Sequence, residues 1–149
     1  MSTLTTGIPA ELKTEVESRV DNENEVYGFG SAASEKTGAA AGQMKALDNA
    51  KNQLSSRIKK EVQTDLNSYI SNLDTYTQTL IKPAFAELTN HATELSLSNA
   101  SQKGAWEDEK KVYALVTVSK SDIASHSKDV LSTFLDNMSE KISDVKTKL

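Results

Sequence analysis

The chain has 149 residues, 37% of them hydrophobic and only 5% aromatic, and it contains no cysteine. That length holds one domain around a thin aliphatic core and leaves no room for two ordinary domains; without thiols there are no disulfides, thiol nucleophiles or thiolate metal sites. A net charge of −4, with Lys and Arg scattered along the chain, offers no basic surface for counterion release and excludes nucleic acid as an expected partner.

Residues 1–7 are polar and predict no regular structure. Pro9 fits the start of a helix, where its missing N–H costs nothing, and Ile8, Leu12, Val16 and Val20 recur every fourth residue, so a short amphipathic helix is expected. A charged loop at 21–25 ends it. Residues 26–32 then predict a strand of small residues, in which Gly28 and Gly30 suggest close approach by another part of the backbone.

From about residue 35 to 73 one apolar stripe dominates: Met44, Leu47, Ala50, Leu54, Ile58, Val62, Leu66, Tyr69 or Ile70, and Leu73. Its mean step, slightly above 3.6, is not the seam of a left-handed coiled coil, so the helix is expected to lie on a sheet. Such a helix would be about 50 Å long; it either bends or projects toward a partner. Asp74 can cap a further helical stretch that Pro83 would interrupt.

Two strands are predicted next, 93–99 on the alternation of Leu95 and Leu97, and 111–119 on that of Val112, Ala114, Val116 and Val118. They read as antiparallel, with 107–110 as a hairpin tip and 102–106 continuing the first arm. Ser121 or Asp122 can cap a final helix along which Leu131, Leu135, Met138, Ile142, Val145 and Leu149 step by four and three. This heptad pattern spans fewer than three heptads. Docking on the domain or on the Ile8–Val20 helix is the simpler reading, with self-association through these residues as the alternative.

The chemical motifs are weak. Gly28-Phe-Gly30-Ser-Ala-Ala33 satisfies G-x-G-x-x-G/A, but no parallel strand ending in an acidic residue follows at the spacing a dinucleotide site needs. Its small residues, Gly28, Gly30 and Ala32 with Gly38 and Gly42 at the start of the helix, instead predict tight helix-on-sheet packing. His91 and His126 belong to no metal-binding spacing. Ser125-His126-Ser127 has triad residue types without triad geometry, and Glu107, Asp108 and Glu109 lack the spacing of a calcium loop. No cofactor and no catalytic residue is expected, and Trp106 is read as a sheet-face anchor. Asn99-Ala-Ser101 and Asn137-Met-Ser139 are formal glycosylation sequons.

The order strand "VYGFGSAAS", long helix "AAAGQMKALDNAKNQLSSRIKKEVQTDLNS", then "GAWEDEKKVYALVTVSKSDI" and a closing helix resembles the Lpp-twenty-like family of small bacterial lipoproteins. Flagellar outer-membrane proteins and the N-terminal domain of flagellar assembly protein T are similar to the same family. The residues that carry the likeness are Tyr27-Gly-Phe-Gly-Ser-Ala32, the spaced Ala46, Ala50 and Leu54 followed by Val62, and Trp106 leading into Val112-Tyr-Ala-Leu-Val-Thr-Val118. The resemblance implies an α/β (α+β) fold, a small mainly antiparallel sheet packed on one long helix with additional helices at both ends. It also implies an outer-membrane or periplasmic address through a lipid anchor that this chain does not carry, and a structural or assembly role with protein partners.

The expected organisation is therefore a tail and short helix over 1–25, the Lpp-twenty-like domain over 26–123 and a C-terminal helix over 124–149. A ligand-binding module using a cleft between sheet and long helix is the alternative function.

Overall fold

The computed structural model describes residues 8–34 and 39–148, with side chains as far as residue 140. Helix α1 (Ala10–Arg19) leads into strand β1 (Glu25–Ala33), and helix α2 (Ala39–Ser71) follows. A short α3 (Thr75–Ile81) and a 3₁₀ turn containing Pro83 precede α4 (Phe85–Ser98). Strands β2 (Ser101–Glu107) and β3 (Lys111–Ser119) form a hairpin, and α5 (Lys120–Lys148) closes the chain. The fold is mixed α and β: an antiparallel sheet in the order β1-β3-β2, with α2 packed against it.

Strict alternation along β3 explains how this central strand is covered on both faces. Val112, Ala114, Val116 and Val118 face α2, whereas Tyr113 and Leu115 face a second cluster built from Ile8, Val16 and Val20 of the α1 segment with Tyr27 and Phe29 of β1. The register puts Gly28 opposite Val116 and Gly30 opposite Ala114, so both glycines lie on the α2 face.

The buried line of α2 is Ala46, Ala50, Leu54, Ile58, Val62 and Leu66, each fully buried. Every four-residue step overshoots one helical turn by about 40°, so the line has wound about 200° around the helix by Leu66. That drift lets one helix serve two neighbours. Its first half faces the sheet, and its second half faces α4 and α5. Met44 does not belong to the line: it is 68% exposed, because the buried face at that level runs through Gly42 and Ala46.

Residues 93–98 are helix and not strand, and Asn99 is the C-cap. Leu88, Thr89, Ala92, Thr93 and Ser96 are the buried positions of α4, a spacing of three and four that outweighs the local alternation of Leu95 and Leu97. The two threonines tolerate the helix interior because each hydroxyl donates to the carbonyl four residues earlier, Thr89 to Phe85 at 2.8 Å and Thr93 to Thr89 at 2.7 Å. The first hairpin arm consequently starts only at Ser101.

Two helix starts illustrate local capping. Asp74 caps α3, its carboxylate accepting the Thr77 N–H at 2.7 Å. The final helix begins earlier than its sequence signals suggest: Ser119 Oγ accepts the Asp122 N–H at 3.0 Å, so β3 passes into α5 with no intervening loop. From there α5 runs without interruption and buries Ile123, Val130 and Leu131 in the same core as α2 and α4. Leu135 and Met138 are half-buried; Ile142 and Val145 lie beyond the described side chains.

Candidate functional site

The glycine motif does not form a phosphate-binding turn. All of Gly28-Phe-Gly30-Ser-Ala-Ala33 lies within β1, and α2 roofs it at backbone distance. A Cβ on Gly28 would overlap the Ala50 carbonyl oxygen and come within 2.8 Å of Leu54 Cβ; one on Gly30 would overlap the Ala46 carbonyl oxygen and the Ala50 amide. Gly42 sits more loosely, its nearest atoms Val112 Cγ2 at 3.1 Å and the Ala33 carbonyl at 3.2 Å. Ala32 is partly buried against the same core, and Gly38 lies outside the described residues. The contact leaves no space for a pyrophosphate, and no cleft opens between sheet and α2 where the two backbones meet.

Beside Ala50, Leu54 and Ile58 of α2 stand polar residues that reach the outer edge of β1. Asn49 Nδ2 donates to the Ser31 carbonyl at 2.8 Å, Gln53 Oε1 accepts the Phe29 N–H at 2.8 Å, and Arg57 Nη1 donates to the Tyr27 carbonyl at 3.0 Å. The Arg57 guanidinium also lies over the Tyr27 ring, 4.2 Å from its centre. These three side chains occupy backbone groups that would otherwise present a strand edge to other chains. Their spacing of four, one residue before Ala50, Leu54 and Ile58, is a signal legible in the sequence that apolar periodicity alone passes over.

The opposite face of the sheet carries the aromatic residues. Phe29 stacks on Tyr113 at 5.7 Å and tilts against Trp106 at 6.2 Å. Arg19 covers Trp106 at 5.0 Å while its Nη1 donates to the Lys103 carbonyl at 2.9 Å and its Nη2 pairs with Glu15 at 2.7 Å. Trp106 is therefore a half-buried anchor between α1 and the hairpin.

The acidic hairpin tip is a built turn. Asp108 Oδ1 accepts the N–H groups of Lys110 and Lys111 at 2.8 and 2.7 Å, and Oδ2 accepts the Tyr113 hydroxyl at 2.8 Å. Those bonds, the Lys110 amide first, hold the Asp108 carboxyl below the usual range. Burial, followed by the bond to Asp108, pushes the Tyr113 phenol up to about 12. Among the described residues no group of three or more His, Asp and Glu side chains is placed to hold a metal ion.

The serine-histidine segment is likewise absorbed by helix packing. His126 Nδ1 lies 3.0 Å from Ser96 Oγ, and its Nε2 lies 3.4 Å from Asn99 Nδ2, which ties α5 to the end of α4. Ser127 is fully buried and donates to the Ile123 carbonyl at 2.8 Å, so it is not presented as a nucleophile.

Two open concavities lie in the helical half of the described residues. A groove of about 660 Å³ between α4 and α5 has Leu88, Val130 and Phe134 in its lining, together with Glu87, His91, Glu94 and Asp129. A second, of about 530 Å³, lies where the end of α2 meets α3 and α4, with Ile70, Gln78 and Phe85 in its wall. Among the described residues no helix is long and apolar enough to cross a membrane. No protein-family model matches the chain, and no curated protein matches it.

Proposed function

We propose that the chain is a non-catalytic structural or assembly domain of a bacterial cell-envelope lipoprotein, with an outer-membrane or periplasmic address and protein partners, flagellar assemblies among the settings that fit. One observation carries this reading. The segments on which the resemblance to Lpp-twenty-like lipoproteins rests pack together as a single unit, with Gly28 and Gly30 beneath Ala46, Ala50 and Leu54 and Val112, Ala114 and Val116 alongside. A structural role is also favoured by how the reactive side chains are used, Asp108 in a turn, Ser127 in a helix and His126 between two helices.

The test is the intact mass and membrane fraction of the native, untagged protein. An outer-membrane product with an acylated cysteine ahead of this segment is the expected result; a cytosolic product starting at Met1 would overturn the address and the lipoprotein class together.

The groove between α4 and α5 favours a second reading, a ligand-binding module for an amphipathic cation. Its apolar lining and four acidic or imidazole side chains suit such a ligand. A panel of cationic amphiphiles that left the melting temperature unchanged would remove it.

A further inference from the structure

The two edges of the sheet are treated differently. Asn49, Gln53 and Arg57 close the outer edge of β1, whereas on β2, among the described residues, side chains reach the carbonyls of Lys103, Gly104 and Trp106, from Arg19, Gln102 and Gln43, and none reaches the backbone of Ala105 or Glu107. In the hairpin ladder Gly104 faces Leu115 and Trp106 faces Tyr113, and the bond from the Asp108 N–H to the Lys111 carbonyl fixes the phase. By the alternation of an antiparallel ladder, the N–H and C=O of Ala105 and Glu107 then point away from β3. Among the described residues these outward groups meet no protein partner. Lys103, Ala105 and Glu107 are exposed, whereas Gly104 and Trp106 are half-buried.

We propose that β2 is a self-pairing edge, through which two copies of this chain join antiparallel about a twofold axis at Ala105 and merge their sheets into one of six strands. Self-complementary charge selects a second copy as the occupant. Centring the pairing on Ala105 brings Lys103, at the bulge, beside the partner subunit's Glu107 and, by symmetry, Glu107 beside the partner subunit's Lys103, so two opposite-charge pairs meet across the seam. Ala105, at the crossing point, has the smallest side chain that still keeps a strand regular. Arg19 holds the bulge at Lys103 in place through its carbonyl, and that oxygen retains a lone pair for the partner.

The pairing deepens the assembly role above by naming its surface, yet it is read from β2 alone, so a failed envelope fractionation would not touch it. Sedimentation equilibrium of the full chain, up to about 200 µM at low salt, gives the test. Expected is a monomer–dimer equilibrium that Lys103→Glu and Glu107→Lys each weaken about tenfold or more, with the double exchange restoring affinity to within about threefold. Both positions are exposed, and unchanged melting temperatures would show that the variants fold. A wild-type chain that stays monomeric throughout overturns the proposal. So does a dimer indifferent to the single charge reversals, or one that Leu135→Glu dissociates and Lys103→Glu does not, which would place association on α5.

Discussion

Helix α2 passes through two regions held together in different ways. Over the sheet, its first half meets β1 backbone to backbone at Gly28 and Gly30, and Asn49, Gln53 and Arg57 bond the strand edge directly. Beyond Arg57, its second half packs Ile58, Val62 and Leu66 against aliphatic residues of α4 and α5, among them Leu88, Ala92, Val130 and Leu131. The sheet region is specified by side chains that are absent and by polar bonds with fixed geometry. The helical region is specified by apolar volume, which tolerates exchange if the total is kept, and both open grooves are found there. Adding an atom should therefore be ruinous in the first region and removing one more tolerable in the second.

The largest effect expected is at Gly28. Gly28→Ala would drive a methyl into the Ala50 carbonyl, and with backbone on both sides the clash cannot be relieved by a rotamer change; a loss of about 3 kcal/mol or more is expected in urea denaturation. Gly42→Ala provides the contrast, because its new methyl meets mainly a Val112 methyl and a helical glycine replaced by alanine recovers about 1 kcal/mol of propensity. That variant should stay within about 1 kcal/mol of wild type. Similar losses at the two glycines would erase the distinction between the regions.

Next in size are paired truncations on α2, Leu54→Ala over the sheet and Leu66→Ala in the helical region, both at fully buried positions. Cavity-forming changes of this kind cost about 2–5 kcal/mol, the value depending on how far the surroundings can collapse. Leu54, wedged beside Gly28, should fall near the upper end and Leu66, among helices that can shift, near the lower. A larger loss at Leu66 would mean that the helical region is the more rigid of the two.

The sheet region was also the more legible one in sequence. Two glycines in a strand and small residues on the following helix point to one close contact, and alternation along 112–118 fixes the central strand without help from tertiary structure. The helical region misled because short windows are degenerate: Leu95 and Leu97 alternate as a strand would, and only Leu88, Ala92 and Ser96, seen together as one buried face, declare a helix. Met44 was misplaced for a related reason. A stripe averaged over nine positions follows composition, whereas the true buried line is set by where the sheet lies and includes Gly42 and Ala46, which contribute almost no apolar signal. Of the candidate edge, the charges of Lys103 and Glu107 were readable, but their meaning depended on knowing that β2 is an edge strand and β1 a covered one.

Titration probes the same contrast in polar groups. In the sheet region the Tyr113 phenol is raised to about 12 by burial and by its bond to Asp108, against about 10 in the unfolded chain. The stabilisation is complete below pH 10 or so and is lost as pH rises through about 12, because the unfolded chain gives up the proton first. Since lysines titrate in the same window, the useful quantity is the difference between wild type and Tyr113→Phe. That difference should be about 1 kcal/mol at neutral pH, the scale of one bond at a solvated turn, and fall through zero to the opposite sign as pH approaches about 12, where burial penalises the phenolate and Phe carries no such penalty. A difference that does not vary with pH would show that the hydroxyl bond contributes nothing.

The helical region holds the opposite case in Asp65. Its Oδ2 has no hydrogen-bond partner among the described residues, and burial, with Glu61 adding repulsion, raises its carboxyl above the ordinary 3.8. The folded state therefore holds the proton more tightly than the unfolded chain does; the associated stability is present below about pH 3.8 and lost as pH rises through the elevated folded value. At neutral pH the charge is a small burden, so Asp65→Asn should stabilise the protein by about 0.5 kcal/mol after allowance for solvent screening at a half-exposed site. The gain should vanish in acid, where wild type is neutral as well. A loss of stability at neutral pH would mean that the carboxylate has a favourable partner in solution, and the helical region would then be as closely matched in its polar groups as the sheet region is.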